Sequence, residues 1–152
     1  GSKVRNLILT QAKIGDADGV SLGQLAALEE IDLRSTGIGA DTIAALASLP
    51  ALGTLTLGRT KVSDEIGASL AKMKNLRRLQ LNETQVGDAL MPSLAGLSLE
   101  RLSLDRTAIT DEGLRALASV KTLKELGLGN TAVTDAGVAA LEAAIPGIKI
   151  RR

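Results

Sequence analysis

The chain has 152 residues, 45% of them hydrophobic, and its 18 basic and 17 acidic residues give a net charge of +1. This length suits one domain with a real core, and a balanced charge without a Lys/Arg block argues against a nucleic-acid partner. The chain contains no Cys, His, Phe, Trp or Tyr, which excludes disulfides, thiolate nucleophiles and zinc–thiolate sites and removes the usual neutral-pH base.

The chain begins with Gly1 and Ser2, which resemble the remnant of a cleaved purification tag. We therefore assign residues 1–2 to a tag remnant and residues 3–152 to one folded domain. No apolar run approaches the roughly 20 residues that a membrane-spanning helix needs, and no signal-peptide pattern is present. We expect no membrane partner.

An internal repeat with the frame L-x-x-L-x-L-x-x-T-x-I runs along the whole chain. Its copies begin at Val4, Leu28, Leu52, Leu76, Leu99 and Leu123, with spacings of 24, 24, 24, 23 and 24 residues. The first copy is degenerate, because it starts with Val and has Ala12 where the other copies have Thr.

Each repeat is predicted to form a short strand, a turn and a helix. Two apolar positions of the frame lie two residues apart, as in Leu102 and Leu104, which is typical of a strand. The second half of the repeat carries apolar residues at helical spacing, as in Leu114, Leu117 and Val120. An Asp near each predicted helix start suits an N-cap; these are Asp64, Asp88, Asp111 and Asp135.

A single unit of this kind cannot bury its own apolar face, so neighbouring units must stack in register. Parallel strands lie about 4.8 Å apart and packed helices about 8–10 Å apart, so the strands should line the inner, concave side. The predicted fold class is α/β: a right-handed solenoid of about six repeats of 23–24 residues, with a parallel sheet on the concave face and helices on the convex face.

The two ends depart from this pattern. Segment 146–152 is predicted to be a terminating strand stub, with Ile148 and Ile150 facing inward, Lys149 outward, and Arg151 and Arg152 discouraging further pairing. The first repeat continues into the loosely patterned stretch GDADGVSLGQLAA. We therefore expect the N-terminal edge of the core to be exposed.

The repeat unit, as in LERLSLDRTAITDEGLRALASVK, resembles leucine-rich repeats over residues 3 to 150. It is most similar to bacterial repeats of the ribonuclease-inhibitor-like kind, which carry a helix in each convex segment. The resemblance implies a non-catalytic module that binds a protein or peptide on its concave face. Cysteine-bonded caps, typical of extracellular eukaryotic members, are absent, which favours a bacterial or intracellular origin, with the cytoplasm as the preferred location, or an engineered array.

The ninth frame position carries Thr where most members of this family carry Asn or Cys. A buried hydroxyl can donate one hydrogen bond and accept others, so it can satisfy backbone groups of its own repeat and of the next. We predict a structural threonine ladder formed by Thr36, Thr60, Thr84, Thr107 and Thr131.

Catalysis is not expected, because the common triads need the His or Cys that this chain lacks. Pairs of Asp or Glu are compatible with the composition, but the recurring Asp residues are predicted to be helix caps. The stretch GLGN at 127–130 lacks the Gly and Lys that follow in nucleotide-binding loops and falls inside a repeat strand. We therefore expect no catalytic residue, no cofactor and no metal site.

The residues that point away from the core are the candidates for a binding surface. Arg78 and Arg101 share the third frame position of adjacent repeats, a like-charge contact that costs stability unless an anion or a carboxylate such as Glu125 relieves it. Two interpretations remain open: a structurally neutral arrangement, or a docking site for an acidic group of a protein or peptide, flanked by Arg59 and Arg106. In the neutral interpretation Arg59 and Arg106 form an exposed row of ion pairs with Glu83, which occupies the same frame position of the repeat between them.

A different class of function also remains open. The chain could be an engineered or excised repeat scaffold without a ligand of its own, an alternative that the absence of aromatic, Cys and His residues favours. The irregular outward positions and the 23-residue spacing argue against an idealised consensus. In either case we expect a monomer.

Overall fold

Seven short strands form one parallel sheet, in the order β1 to β7, in the computed structural model, which describes residues 1–152. Each strand pairs with the next at the same frame positions, so that Leu55 lies beside Leu79 and Leu79 beside Leu102. The strands are β1 (Asn6–Ile8), β2 (Glu30–Asp32), β3 (Thr54–Thr56), β4 (Arg78–Gln80), β5 (Arg101–Ser103), β6 (Glu125–Gly127) and β7 (Lys149–Arg151).

Helical segments connect consecutive strands and pack against one face of the sheet. They are α1 (Asp16–Gly19), α2 (Ala40–Leu46), α3 (Gly67–Leu70), α4 (Met91–Leu94), α5 (Asp111–Leu117) and α6 (Asp135–Ala144). Short 3-10 segments follow α1 (Val20–Gln24) and precede α3 (Asp64–Ile66) and α4 (Asp88–Leu90). The helices α1, α3 and α4 have four residues each, which is about one turn. No helix is both long enough and apolar enough to span a bilayer.

The core is a single cluster of 36 buried hydrophobic residues between the sheet and the helices. From the second repeat to the sixth, the first, fourth and sixth frame positions are at most 2% exposed. Burying a Leu or Ile side chain contributes about 1.5–3 kcal/mol. This contribution explains why these positions stay aliphatic in every copy. The α/β solenoid predicted from the sequence, with one parallel sheet and a helical segment between consecutive strands, is confirmed.

The one short repeat leaves the sheet undisturbed. Four residues separate the end of α4 from Leu99, whereas five separate the end of α3 from Leu76. The register nevertheless continues through β4, β5 and β6. The missing residue is therefore absorbed on the convex side, where it does not affect the strands.

The threonines at the ninth frame position bond within their own repeat. Each hydroxyl donates to the carbonyl of the residue three positions earlier, at 2.6–2.7 Å, in Thr36, Thr60, Thr84, Thr107 and Thr131. In the first repeat the backbone N–H of Ala12 donates to the Leu9 carbonyl instead, at 2.9 Å. The expectation that these hydroxyls also reach the next repeat is wrong: each donates within its own repeat, and around this turn backbone groups make the bonds between repeats.

Backbone hydrogen bonds between repeats extend beyond the three-residue strands. The N–H of Leu33 donates to the Thr56 carbonyl at 2.9 Å, and that of Ser35 donates to the Gly58 carbonyl at 2.9 Å. After the turn the direction reverses, and the Lys61 N–H donates to the Ile38 carbonyl at 3.2 Å. Each repeat is thus joined to its neighbours by main-chain groups whatever its outward side chains are.

The N-terminal edge of the core is open, as the degenerate first repeat indicates. Leu7, Leu9 and Ile14 are only partly buried, and Val4 and Ile8 are 40% and 75% exposed. Strand β1 has a neighbour on one side only. This edge therefore has less burial to stabilise it than any internal repeat has.

At the C-terminal end, β7 pairs with β6 over its full length. Ile148 is buried and Ile150 is partly buried, so both pack against the core. The guanidinium of Arg152 donates to the Val133 carbonyl at 2.9 Å and pairs with Asp135. Arg152 is thus bonded to residues at the start of α6 and just before it.

We predict that Thr107→Val destabilises the protein by about 1–3 kcal/mol, because the Leu104 carbonyl loses its hydroxyl donor in a buried turn. Urea denaturation measures the change. Thr131→Val is the matched control: it removes the same bond where water has access, so its effect should be smaller. Equal stability of Thr107→Val and the parent would contradict a structural role for this hydroxyl.

We also predict that Leu79→Ala costs about 2–5 kcal/mol, since it empties a fully buried site. The equivalent change in the first repeat, Leu7→Ala, should cost about 1 kcal/mol or less, because that side chain is already partly exposed. Denaturant unfolding compares the two variants. Similar losses at both positions would show that the N-terminal edge is covered in solution.

Candidate functional site

The outward side chains of the sheet form two rows that cross all seven strands. Alternate residues of a strand face opposite sides, so the middle residue of each strand is inward and the two others are outward. The first-residue row is Asn6, Glu30, Thr54, Arg78, Arg101, Glu125 and Lys149. The last-residue row is Ile8, Asp32, Thr56, Gln80, Ser103, Gly127 and Arg151.

These rows line a groove of ≈ 350 Å³ over β2 to β7, and 2 of its 13 lining residues are hydrophobic. A groove with so few apolar contacts must obtain specificity from charge and hydrogen bonding. The charged groups that lack a partner within the chain are therefore the ones available to a ligand.

Arg101 has a carboxylate partner and Arg78 has none. The Arg101 Nε lies 3.3 Å from Glu125 Oε2, on the neighbouring strand β6. Arg78 lies beside Arg101 on β4, is exposed, and makes no ion pair or side-chain hydrogen bond. Glu125 was predicted to relieve the like-charge contact between Arg78 and Arg101. It pairs with Arg101 and not with Arg78.

Arg59 and Arg106 lie at the turn that follows the strands and share one carboxylate. Glu83 Oε2 is 3.0 Å from Arg59 Nε and 3.6 Å from Arg106 Nη1. The hydrogen bond from Arg59 holds the pKa of Glu83 below its ordinary value, and the same bond raises the pKa of Arg59. The two predicted flanking residues therefore have a partner within the protein.

The turn that carries this trio has an unusual backbone that the sequence does not reveal. At the eighth frame position φ is positive in every repeat, at 55–62°, in Gln11, Ser35, Arg59, Glu83, Arg106 and Asn130. Non-glycine residues adopt this left-handed conformation at a cost of about 1–2 kcal/mol, with Asn among the best tolerated. Only Asn130 gives a recognisable signal, and the stacked fold imposes the conformation on the others.

The stretch GLGN is explained by a neighbouring carboxylate. Asp105 accepts hydrogen bonds from the Ser103 hydroxyl at 2.6 Å and from the Gly129 N–H at 2.7 Å. A Cβ at Gly127 would lie 2.5 Å from Asp105 Oδ2, and one at Gly129 would lie 2.8 Å from Oδ1. These two glycines make room for an aspartate of the preceding repeat.

A further carboxylate of the groove is held by a neighbouring guanidinium. Asp32 Oδ2 accepts from Arg34 Nη2 at 2.6 Å, and its Oδ1 accepts from Arg34 Nε at 3.0 Å. Partial burial acts to raise the pKa of Asp32, but the bonds from Arg34 outweigh it and lower this pKa. Of the outward strand positions, four exposed charged side chains are left without an ion pair: Glu30, Arg78, Lys149 and Arg151.

The recurring aspartates do not cap their own helices as the sequence predicted for Asp64, Asp88, Asp111 and Asp135. The N-caps are the residues before them, and the Thr110 and Thr134 hydroxyls accept from N–H groups of α5 and α6. The carboxylates of Asp64, Asp88 and Asp111 accept instead from the N-cap residue of the following repeat. These three carboxylates therefore link neighbouring repeats. Their recurrence at one frame position is the feature of the sequence that indicates a shared structural role.

Asp16 makes the same kind of link from the first repeat, because it accepts from the Gly39 N–H at 2.8 Å. The pKa values of Asp111 and Asp16 follow from their bonds. The Thr134 hydroxyl and N–H donate to Asp111 at 2.6 and 2.9 Å and lower its pKa. Partial burial acts to raise the pKa of Asp16, but hydrogen bonds from Thr42 and Gly39 outweigh it, so that this pKa is also lowered. Because Asp16, Asp64, Asp88 and Asp111 are engaged in bonds between repeats, they are poor candidates for acid–base chemistry.

Comparison with known proteins supports the repeat assignment. A family model described as a leucine-rich repeat matches residues 97–118. A search of curated protein sequences gives no match.

Many solved structures are similar to this one, among them the following two. A leucine-rich repeat protein of Leptospira interrogans aligns with a TM-score of 0.66 and 21% identity, covering 88% of this chain and 33% of that chain. Internalin C2 of Listeria monocytogenes aligns with a TM-score of 0.64 and 20% identity, covering 93% of this chain and 67% of that chain. At these identities the likeness concerns the fold. The chain spans one third of the length of the Leptospira protein.

We predict that the free energy of unfolding falls as the pH drops below about 4. A carboxyl whose pKa is lower in the folded state stabilises the fold above its unfolded pKa, and this contribution is lost as the pH falls through the folded pKa. Asp111→Asn should therefore be less stable than the parent at pH 7 and show a shallower loss in acid. Urea denaturation at a series of pH values measures both effects.

Thr134→Val tests the cause of that pH dependence, because it removes the hydroxyl donor of Asp111 and leaves the carboxylate. It should flatten the acid slope in the same direction as Asp111→Asn. A Thr134→Val protein with the acid slope of the parent would show that this bond does not set the pKa of Asp111.

Proposed function

We propose that this chain, a leucine-rich repeat protein, is a non-catalytic module whose concave sheet binds a protein or peptide segment. Protein binding is the typical role of the fold. Several of the carboxylates are held in links between repeats, and no His or Cys is present to act as a nucleophile or neutral-pH base. These features favour binding over chemistry.

The observation that carries the proposal is the state of Arg78. It lies within the groove, is exposed, and has no ion-pair partner. An unpaired guanidinium presents a planar set of donors that matches a carboxylate in a bidentate geometry. We therefore assign the primary contact to Arg78 and an acidic group of the partner.

Arg101 supports this contact from the next strand. Its pair with Glu125 is solvent-exposed, with side-chain exposures of 55% and 42%, and exposed pairs contribute about 1 kcal/mol or less. A partner carboxylate placed between Arg78 and Arg101 would relieve their like-charge contact. Arg101 is therefore proposed as the second binding residue.

Arg59 and Arg106 take a lesser part in the proposal. Both are held by Glu83, so that a partner would have to compete with an existing carboxylate. We propose that they shape the rim of the surface and contribute little to affinity.

A displayed library of random peptides, selected on the parent chain, provides ligands with which to test the proposal. Peptides that bind the groove should be enriched in Asp and Glu and lose about tenfold in affinity for Arg78→Ala. Arg106→Ala is the matched control and should change affinity less than about twofold, because that residue already has a partner. Arg78→Ala should retain stability within about 0.5 kcal/mol of the parent.

Peptides that bind Arg78→Ala as tightly as the parent would contradict the assignment of Arg78. A library that yields no binder would favour the alternative of a scaffold without a ligand. Raising the salt concentration should weaken binding to the parent more than to Arg78→Ala, since exposed charge contacts are screened over about 8 Å at physiological ionic strength.

A further inference from the structure

We infer that the groove selects a partner segment that carries one basic and one acidic side chain about 10 Å apart, the basic group at Glu30 and the acidic group at Arg78. This inference rests on the proposed function, since it names the partner chemistry of the same surface. Its basis is the distribution of unpaired charge along the first-residue row.

Glu30, Thr54 and Arg78 occupy equivalent positions on β2, β3 and β4. Neighbouring strands lie about 4.8 Å apart, which places the Cα atoms of Glu30 and Arg78 about 10 Å apart. No atoms of the two side chains approach within ion-pair distance, and both are exposed. Thr54 between them is neutral. The two charges therefore face solvent as separate sites of opposite sign.

The other carboxylates near this row are neutralised within the chain. Asp32 is held by Arg34, and Glu125 by Arg101. Glu30 thus remains the free negative group at the β2 end of the groove. The free positive groups are Arg78 on β4 and, beyond β6, Lys149 and Arg151 on β7.

This polarity discriminates between partners. A segment with two acidic groups at this spacing would place one beside Glu30, and a segment with two basic groups would place one beside Arg78. Like charges brought together at an interface oppose binding, so both segments are disfavoured. A segment with one charge of each sign is complementary at both positions.

A polyproline host provides a ruler of the required length. The polyproline II helix has three residues per turn and a rise of about 3.1 Å, so residues three apart lie on one face about 9 Å apart. The probes are four ten-residue polyproline peptides: a dipolar peptide with Lys and Glu three apart, doubly acidic and doubly basic peptides at the same spacing, and a dipolar peptide with the charges two apart.

Binding is measured by NMR titration of the parent chain in low salt. The dipolar peptide with charges three apart should bind about three- to fivefold tighter than each of the other probes. Shift changes should centre on β2, β3 and β4. The preference should vanish in high salt.

Charge reversal in the protein tests which side chain reads which charge. Glu30→Lys should make the doubly acidic peptide the preferred probe, and Arg78→Glu should make the doubly basic peptide the preferred probe. Lys72→Glu reverses an exposed charge just after α3, away from the groove, and should leave the order of the probes unchanged.

Equal binding of the doubly acidic and dipolar peptides to the parent, with both weakened by Arg78→Glu, would overturn the inference and leave the proposed function standing. Indifference of every probe, and of the library peptides, to Arg78→Glu would overturn both. A dimer in sedimentation that Glu30→Lys dissociates would show that a second copy fills the groove, which would also overturn the inference.

Discussion

The stacking of each repeat on the next is the interaction on which the rest of this structure depends. No repeat can bury its leucines alone, and the sheet, the buried turns and the core all exist because neighbours share one register. Main-chain bonds join the repeats on both sides of each turn, and carboxylates such as Asp88 and Asp111 add links at the helix starts. The strand register is maintained even where one repeat is a residue shorter than the others. The shortening is accommodated on the convex side, and the strands remain aligned.

Because stacking uses inward side chains and the backbone, the outward strand positions are released from the requirements of folding. Three of the seven charged residues there have ion-pair partners, through the pairs of Asp32 with Arg34 and of Arg101 with Glu125. Exposed pairs contribute little to stability. Their main effect is to make the paired side chains less available to a ligand. What remains is a small set of unpaired groups on a rigid sheet. The spacing between them is set by the strand separation. A ligand must therefore match both the signs of the charges and the distance between them.

The period, the leucine positions and the order of strand and helix could be read from the sequence, because each is dictated by repeated burial of the same positions. The partners of polar side chains could not. The carboxylates assigned to helix caps reach forward to the next repeat, and the Thr hydroxyls bond backward within their own. Both outcomes depend on three-dimensional distances between copies. For the same reason the sequence grouped four arginines as one site, whereas Glu83 holds Arg59 and Arg106 and leaves Arg78 free. The positive φ of the eighth position had no compositional signal except Asn130.

Native-state hydrogen exchange of the strand amides tests most directly whether nearest-neighbour stacking carries the stability. Internal strands have a repeat on each side, whereas β1 has one neighbour and partly exposed leucines. The amides of β3, β4 and β5 should therefore exchange only through the largest openings, and those between β1 and β2 should exchange through the smallest. A free energy of opening for the β1–β2 amides equal to that of the β4–β5 amides would contradict a stability built up repeat by repeat.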